Sequence, residues 1–135
     1  MDKSLPILYV EDDALSRQIF ELMLTRVVGC TNLRMWENSH NFGERLNELH
    51  QSPVLIFLDI HVDPIDGFEM IKIIRSQPRT SEAIVIALTA SLVSEEMVRL
   101  RHAGFNGAIG KPLDIRRISE MFGRILKREP IWLVR

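Results

Sequence analysis

The chain has 135 residues, of which 46% are hydrophobic and 26% charged, and its net charge is −1. That length suits one domain, which can bury roughly two-thirds of its unfolded surface without disulfides or a structural metal. The balanced charge leaves no basic footprint for direct nucleic-acid binding, and Cys30, the single cysteine, excludes an intramolecular disulfide or a thiolate zinc site.

In chain order, Pro6 to Val10 reads as a buried strand stopped by Glu11-Asp12-Asp13. A helix is expected from Ala14 to Val28, with Leu15, Ile19, Leu22, Met23 and Arg26/Val27 as its inner stripe and Gly29 as its end. Leu33 to Trp36 is a short candidate strand. Asn41 and Glu44 have the spacing of a capping box for a helix with Phe42, Leu46 and Leu49 inward. Val54 to Leu58 follows Ser52-Pro53 as an uninterrupted apolar run, the pattern of a strand buried on both faces, and it delivers Asp59 to its carboxyl end.

Asp66-Gly-Phe-Glu69 has the form of a capping box opening a helix from Gly67 to Gln77, closed by Pro78. Ala83 to Leu88 is a second double-sided strand, ending at Thr89-Ala90. Ser94-Glu95-Glu96 opens a helix whose last turn holds Arg99, Arg101 and His102 before Gly104, the charge order that the helix dipole favours. Gly107 to Ile109 forms a short strand leading into Gly110-Lys111-Pro112. A last helix is expected from Asp114 to Lys127, with Ile115, Ile118, Phe122 and Ile125 inward. Five strands alternating with five helices predict an α/β fold, a doubly wound five-stranded parallel sheet, in one domain over residues 1–128. Residues 129–135 form an apolar tail, expected to pack back on the domain, with homodimerisation or a cut from a longer protein as the alternatives. The N-terminus lacks the apolar core of a signal peptide and no run is long enough to insert in a membrane, so the expected compartment is the cytoplasm.

The polar residues that stand out each follow a strand: Glu11-Asp12-Asp13, Asp59, Thr89 and Lys111. In a parallel sheet these ends share one edge, which is where open α/β sheets place their sites. Packed carboxylates repel one another, and a divalent cation removes the conflict. Mg2+, or Mn2+ in its place, takes carboxylate oxygens together with waters and phosphate oxygens. Asp12 or Asp13 with Asp59 supplies the carboxylates, and Asp59 is then a nucleophile toward a phosphoryl group. Lys111 and Thr89 are suited to hold the other phosphoryl oxygens. Taken singly, Asp13 reads as well as a helix cap, and Lys111 as a turn lysine.

Ile7-Leu-Tyr-Val-Glu-Asp-Asp13, Phe57-Leu-Asp59 with Asp66-Gly67, Leu88-Thr-Ala90 and Gly110-Lys-Pro112 together resemble the receiver domain of bacterial two-component response regulators, over roughly residues 5–128. The resemblance implies a flavodoxin-like (βα)5 sheet of order 2-1-3-4-5 and a stand-alone, single-domain receiver. It implies phosphoacceptor Asp59, Mg2+ on Asp12 or Asp13 with Asp59 and the His61 backbone carbonyl, a switching Thr89, Lys111 on the phosphoryl group and a cis Lys111–Pro112 peptide. A histidine kinase or phosphotransfer protein would be the donor, and a downstream protein the target; such a domain catalyses only its own phosphorylation and dephosphorylation. This chain departs from the family pattern in three places. Ala108 stands where an aromatic residue that turns inward on switching is usual. Asp63 takes the place of the loop proline, with Pro64 next, and is expected to face solvent. His61 and Ser91 occupy the positions at the site mouth that tune phosphoryl lifetime. A receiver-like scaffold binding independently of phosphorylation is the alternative, supported by Ala108 alone. An aspartate-nucleophile phosphohydrolase would need a second acid at position 61, and a flavin or dinucleotide binder a phosphate loop where Glu11-Asp12-Asp13 stands.

Overall fold

The computed structural model describes residues 2–91 and 93–133; Val134 and Arg135 of the expected tail lie outside the described residues. Strands β1 (Ile7–Val10), β2 (Leu33–Trp36), β3 (Leu55–Asp59), β4 (Ile84–Thr89), β5 (Gly107–Gly110) and β6 (Ile131–Leu133) form one sheet of order β2-β1-β3-β4-β5-β6. Every neighbouring pair is parallel. The first five follow the expected order. The sixth is the start of the tail, which extends the sheet beyond β5 rather than lying free.

Helices α1 (Ala14–Leu22), α2 (Phe42–Glu48), α3 (Gly67–Ser76), α4 (Ser94–Ala103) and α5 (Ile118–Leu126) cover both faces. One layer packs Phe20 of α1, Met23 and Leu24 just beyond it, and Phe122 and Ile125 of α5 against Tyr9, Phe57 and Leu88. The other packs Phe42, Leu46, Met70, Ile74 and Leu100 from α2, α3 and α4 against Val10, Leu58 and Ala87. Strands covered on both sides must be apolar throughout, which is why β3 and β4 read as unbroken runs.

The first helix differs from expectation in form and in face. Beyond Leu22 it continues as a π-helical stretch over Met23–Val28, and both Gly29 N and Cys30 N bond Leu24 O. Leu15, Ile19, Leu22 and Val27 point outward, while Phe20, Met23, Leu24 and Val28 are buried. Two apolar stripes compete on this helix, and the aromatic one wins. Phe20 sits 4.0 Å from the Tyr9 ring and 4.9 Å from that of Phe57, centroid to centroid, a gain beyond area burial that Ile19 cannot match. The wider turn then rephases Leu24 and Val28 inward.

Two caps also differ. Asn41 adopts a left-handed conformation with φ 49° and makes no side-chain cap bond, so Asn41 and Glu44 form no capping box. The last helix starts at Ile118 because Asp114 Oδ1 accepts from Arg116 N at 2.9 Å, which holds residues 114–117 in a turn and leaves Ile115 exposed. The cap at Asp66 has the expected form: its Oδ1 accepts from Glu69 N at 3.0 Å. Gly67 follows it because a Cβ there would lie 2.8 Å from Ile60 Cα.

Candidate functional site

All the strand ends singled out above meet on one edge. Pairing places Val10 beside Leu58, Asp59 beside Leu88 and Thr89 beside Gly110, so Glu11, Asp59, Thr89 and Lys111 leave the sheet together. Lys111 N bonds Thr89 O at 2.9 Å, and the Lys111–Pro112 peptide is cis, as is Asp63–Pro64.

The carboxylates that converge are Glu11, Asp12 and Asp59, with one oxygen of each within 4.8 Å of the others. Asp13 is elsewhere. Its Oδ2 accepts from Ser16 N at 2.8 Å and Ser16 Oγ at 2.7 Å, capping α1. Of the two readings open for Asp13, the structure shows the cap; of the alternatives Asp12 or Asp13, the cluster holds Asp12, and Glu11 joins it. A signal was available: β1 ends at Val10, so Glu11 is the first residue off the strand, whereas Asp13 lies three before Ser16 at a helix start.

Glu11 is fully buried. Its Oε1 accepts from Tyr9 Oη at 3.0 Å and from Lys111 Nζ, and its Oε2 from Asp13 N at 3.3 Å. Lys111 Nζ also donates to Asp59 Oδ2 at 2.9 Å, and Asp59 Oδ1 accepts from His61 N at 2.9 Å. Burial, and next the shared hydrogen bond with Asp59, push the Glu11 carboxyl up to about 7 against the pull of Lys111. Burial alone would raise Asp59 too, but the Glu11 carboxyl, the His61 amide and the Lys111 ammonium outweigh it and hold Asp59 below the usual carboxylate range. Lys111 is raised: its bonds to Glu11 and Asp59 exceed the opposing effect of burial. Burial, with Glu11 behind it, raises the Tyr9 phenol, which therefore stays a donor.

Three carboxylates against one ammonium leave an excess of negative charge, and the cost falls on the buried Glu11. That imbalance suits a divalent cation. Oxygen-only donors from Glu11, Asp12 and Asp59 match the preferences of Mg2+, and the exposed Asp12 leaves the cluster open to solvent.

The remaining expected residues flank this centre. The Thr89 hydroxyl is buried and engaged with Ser91, accepting from Ser91 N at 3.0 Å and donating to Ser91 O at 3.1 Å. The His61 side chain is largely exposed, with Nε2 3.9 Å from Glu96 Oε1 on α4. Asp63 faces solvent, while its carbonyl accepts from Ser39 N at 3.0 Å. Ala108 is buried on β5. Tyr9, read from sequence only as a core residue, proves to be part of the polar network.

A parallel sheet of this order with an acidic cluster and a lysine at its carboxyl edge is the arrangement that the resemblance to receiver domains leads one to expect. The profile of the response regulator receiver domain matches residues 7–122, and the chain belongs to that family. It is 31% identical over 109 residues to an uncharacterized 14.6 kDa protein of Leptolyngbya boryana, covering 80% of this chain and 79% of that one. It is 28% identical over 107 residues to stress response regulator protein 1 of Candida tropicalis, covering 79% of this chain but 40% of that protein. Its match to the hybrid signal transduction histidine kinase L of Dictyostelium discoideum covers 7% of that protein, so the chain spans a minor part of these two relatives. Among solved structures, the signal receiver domain of a DNA-binding response regulator from Colwellia psychrerythraea superposes with TM-score 0.79 at 25% identity, covering 92% of this chain and 99% of that one. A chemotaxis response regulator of Vibrio cholerae, at 19% identity and TM-score 0.79, covers 90% and 98% and shares the fold. Among the described residues no helix is long and apolar enough to cross a membrane.

Proposed function

We propose that this receiver takes a phosphoryl group from the phosphohistidine of a histidine kinase or phosphotransfer protein onto Asp59, and that the modified domain then binds a downstream protein. The observation that carries this reading is the Lys111 ammonium bridging Asp59 and Glu11 beside Asp12. An oxygen of the ionised Asp59 attacks phosphorus, the P–N bond to the donor imidazole breaks, and an aspartyl phosphate forms as the imidazole leaves and is protonated. Mg2+ on Glu11, Asp12, Asp59 and the His61 carbonyl would supply charge neutralisation for this transfer. Asp59 is suited to attack because it is kept ionised. Lys111 is positioned to follow the charge from the carboxylate to a phosphoryl oxygen, and Thr89, once released from Ser91, to donate to another. His61 and Ser91 at the mouth would govern how readily water reaches phosphorus.

The donor fits beside α1. The outward Ile19, on the same helix as the exposed Leu15 and Leu22, lines a groove with Phe20, Ala90, Lys111, Pro112 and Leu113 that reaches the site at Lys111. No comparable observation favours a phosphorylation-independent scaffold. Incubation with acetyl phosphate and Mg2+, followed by intact mass measurement, tests the reading. The wild type should gain one phosphoryl group, and Asp59→Asn should gain none.

A further inference from the structure

Across the sheet, Leu58, Ala87, Ala108 and Trp132 stand side by side on β3, β4, β5 and β6. All four belong to the layer beneath α4, with Trp132 at its margin. Side chains alternate along a strand, so Thr89, two residues beyond Ala87, and Gly110, two beyond Ala108, face this same layer. On β5, therefore, only the methyl of Ala108 and the bare Gly110 separate Thr89 from the indole of Trp132. The helix above joins the two ends of this row. Glu96 on α4 faces His61 across 3.9 Å beside Asp59, and one turn and more along, the Arg101 guanidinium lies 4.7 Å from the centre of the Trp132 ring. Among the described residues, one oxygen of Glu96 is buried without a hydrogen-bond partner.

The sixth strand is built to sit there. A Cβ on Gly107 would collide with the Ile131 carbonyl, so β5 has no side chain where β6 approaches. Ile131 is buried in the opposite layer. The C-terminal strand thus belongs to the packed sheet, while its Trp132 is only half-buried and meets α4 through the cation–π contact with Arg101.

We infer that Trp132 on β6 is the residue through which occupation of the Asp59 site reaches the C-terminal edge of the domain. This rests on the proposed phosphoacceptor role. A phosphoryl group on Asp59 draws Lys111 and Thr89 toward it, and both lie at the ends of strands that border the row. Movement of Thr89 and of the site end of α4 then repacks the space over Ala108, and the indole and Arg101 respond together. The output would be read at β6 and α4, with no aromatic residue needed on β5 itself.

The test uses the full chain. Trp36→Phe leaves Trp132 as the only tryptophan, and its emission and iodide quenching are followed on adding Mg2+ with beryllofluoride, a phosphoryl mimic. Should that variant not fold, 19F NMR of the wild type labelled with 5-fluorotryptophan reads the same indole. Trp132 should respond, and the response should vanish with Asp59→Asn. By reciprocity, Arg101→Gln and Trp132→Phe should each change beryllofluoride affinity on the order of fivefold, the low end of ordinary couplings between linked sites. A silent Trp132 with unchanged affinity in both variants, while acetyl phosphate still labels the protein, would overturn the inference and leave the phosphoacceptor reading standing. Absence of both labelling and beryllofluoride binding would overturn that reading, and the inference with it.

Discussion

Lys111 and Asp59 are joined by a 2.9 Å bond from Nζ to Oδ2, and the same ammonium bonds the buried Glu11 on its other side. One cation therefore compensates two carboxylates that would otherwise face each other. Lys111→Met should cost roughly 1–3 kcal/mol of cation-free stability, between the limits for exposed and buried pairs. With the ammonium gone, the variant should bind Mg2+ more tightly, while its labelling by acetyl phosphate should slow. Thermal unfolding with and without Mg2+, and a labelling time course, check the three effects.

Glu11 gives the site a pH dependence of unusual sign. Its folded-state value lies at about 7 against an ordinary 4.5, so between these values the folded chain holds more protons than the unfolded one. Stability from this group accordingly falls as pH rises through that window. Asp59, held low, acts oppositely: its contribution is in place above the ordinary carboxylate value and is lost on acidification below it. Without divalent cations the unfolding midpoint should decline from pH 4.5 to 7 in the wild type, and the decline should flatten in Glu11→Gln. Mg2+ binding needs Glu11 ionised, so calorimetry should show affinity dropping below pH 7. An affinity indifferent to pH there would count against Glu11 as a ligand.

Asp12 and Asp13 are neighbours with separate tasks. Asp13→Ala should lower the unfolding midpoint through loss of the α1 cap and leave Mg2+ affinity unchanged. Asp12→Ala should abolish most Mg2+ binding with little change in cation-free stability. Titrations of the two variants side by side would expose a reversed assignment at once.

Gly107 is a further point of attack. Gly107→Ala drives a methyl against the Ile131 carbonyl, and should lift β6 at a cost of roughly 1–3 kcal/mol, the usual range for overpacking. Proteolysis near Arg128 should then accelerate, with the Asp59 region still folded by circular dichroism.

The strand runs and the residues that end them were legible from sequence because strands covered on both faces must be apolar, and their ends must be polar. Asp59, Thr89 and Lys111 could be brought to one edge on that ground alone. Side-chain direction within a run of acids was not legible: Glu11, Asp12 and Asp13 are alike in charge, and only the end of β1 and the cap on Ser16 separate them. The face of α1 was ambiguous because two apolar stripes overlap, and stacking of Phe20 on Tyr9 decides between them. The sixth strand was not legible because three residues after a proline carry no periodicity. Its place was marked on β5 instead, by Gly107 and Ala108, which leave room for it.

In the proposed transfer it is Asp59 that carries the phosphoryl group. Treating the acetyl-phosphate-labelled protein with borohydride reduces an aspartyl phosphate to homoserine, and peptide mass mapping then reads the modified position. Homoserine is expected at residue 59, dependent on Mg2+ and absent when the label is omitted. Homoserine at residue 12 or 13, or phosphate retained on a histidine or hydroxyl residue with position 59 unchanged, would contradict it.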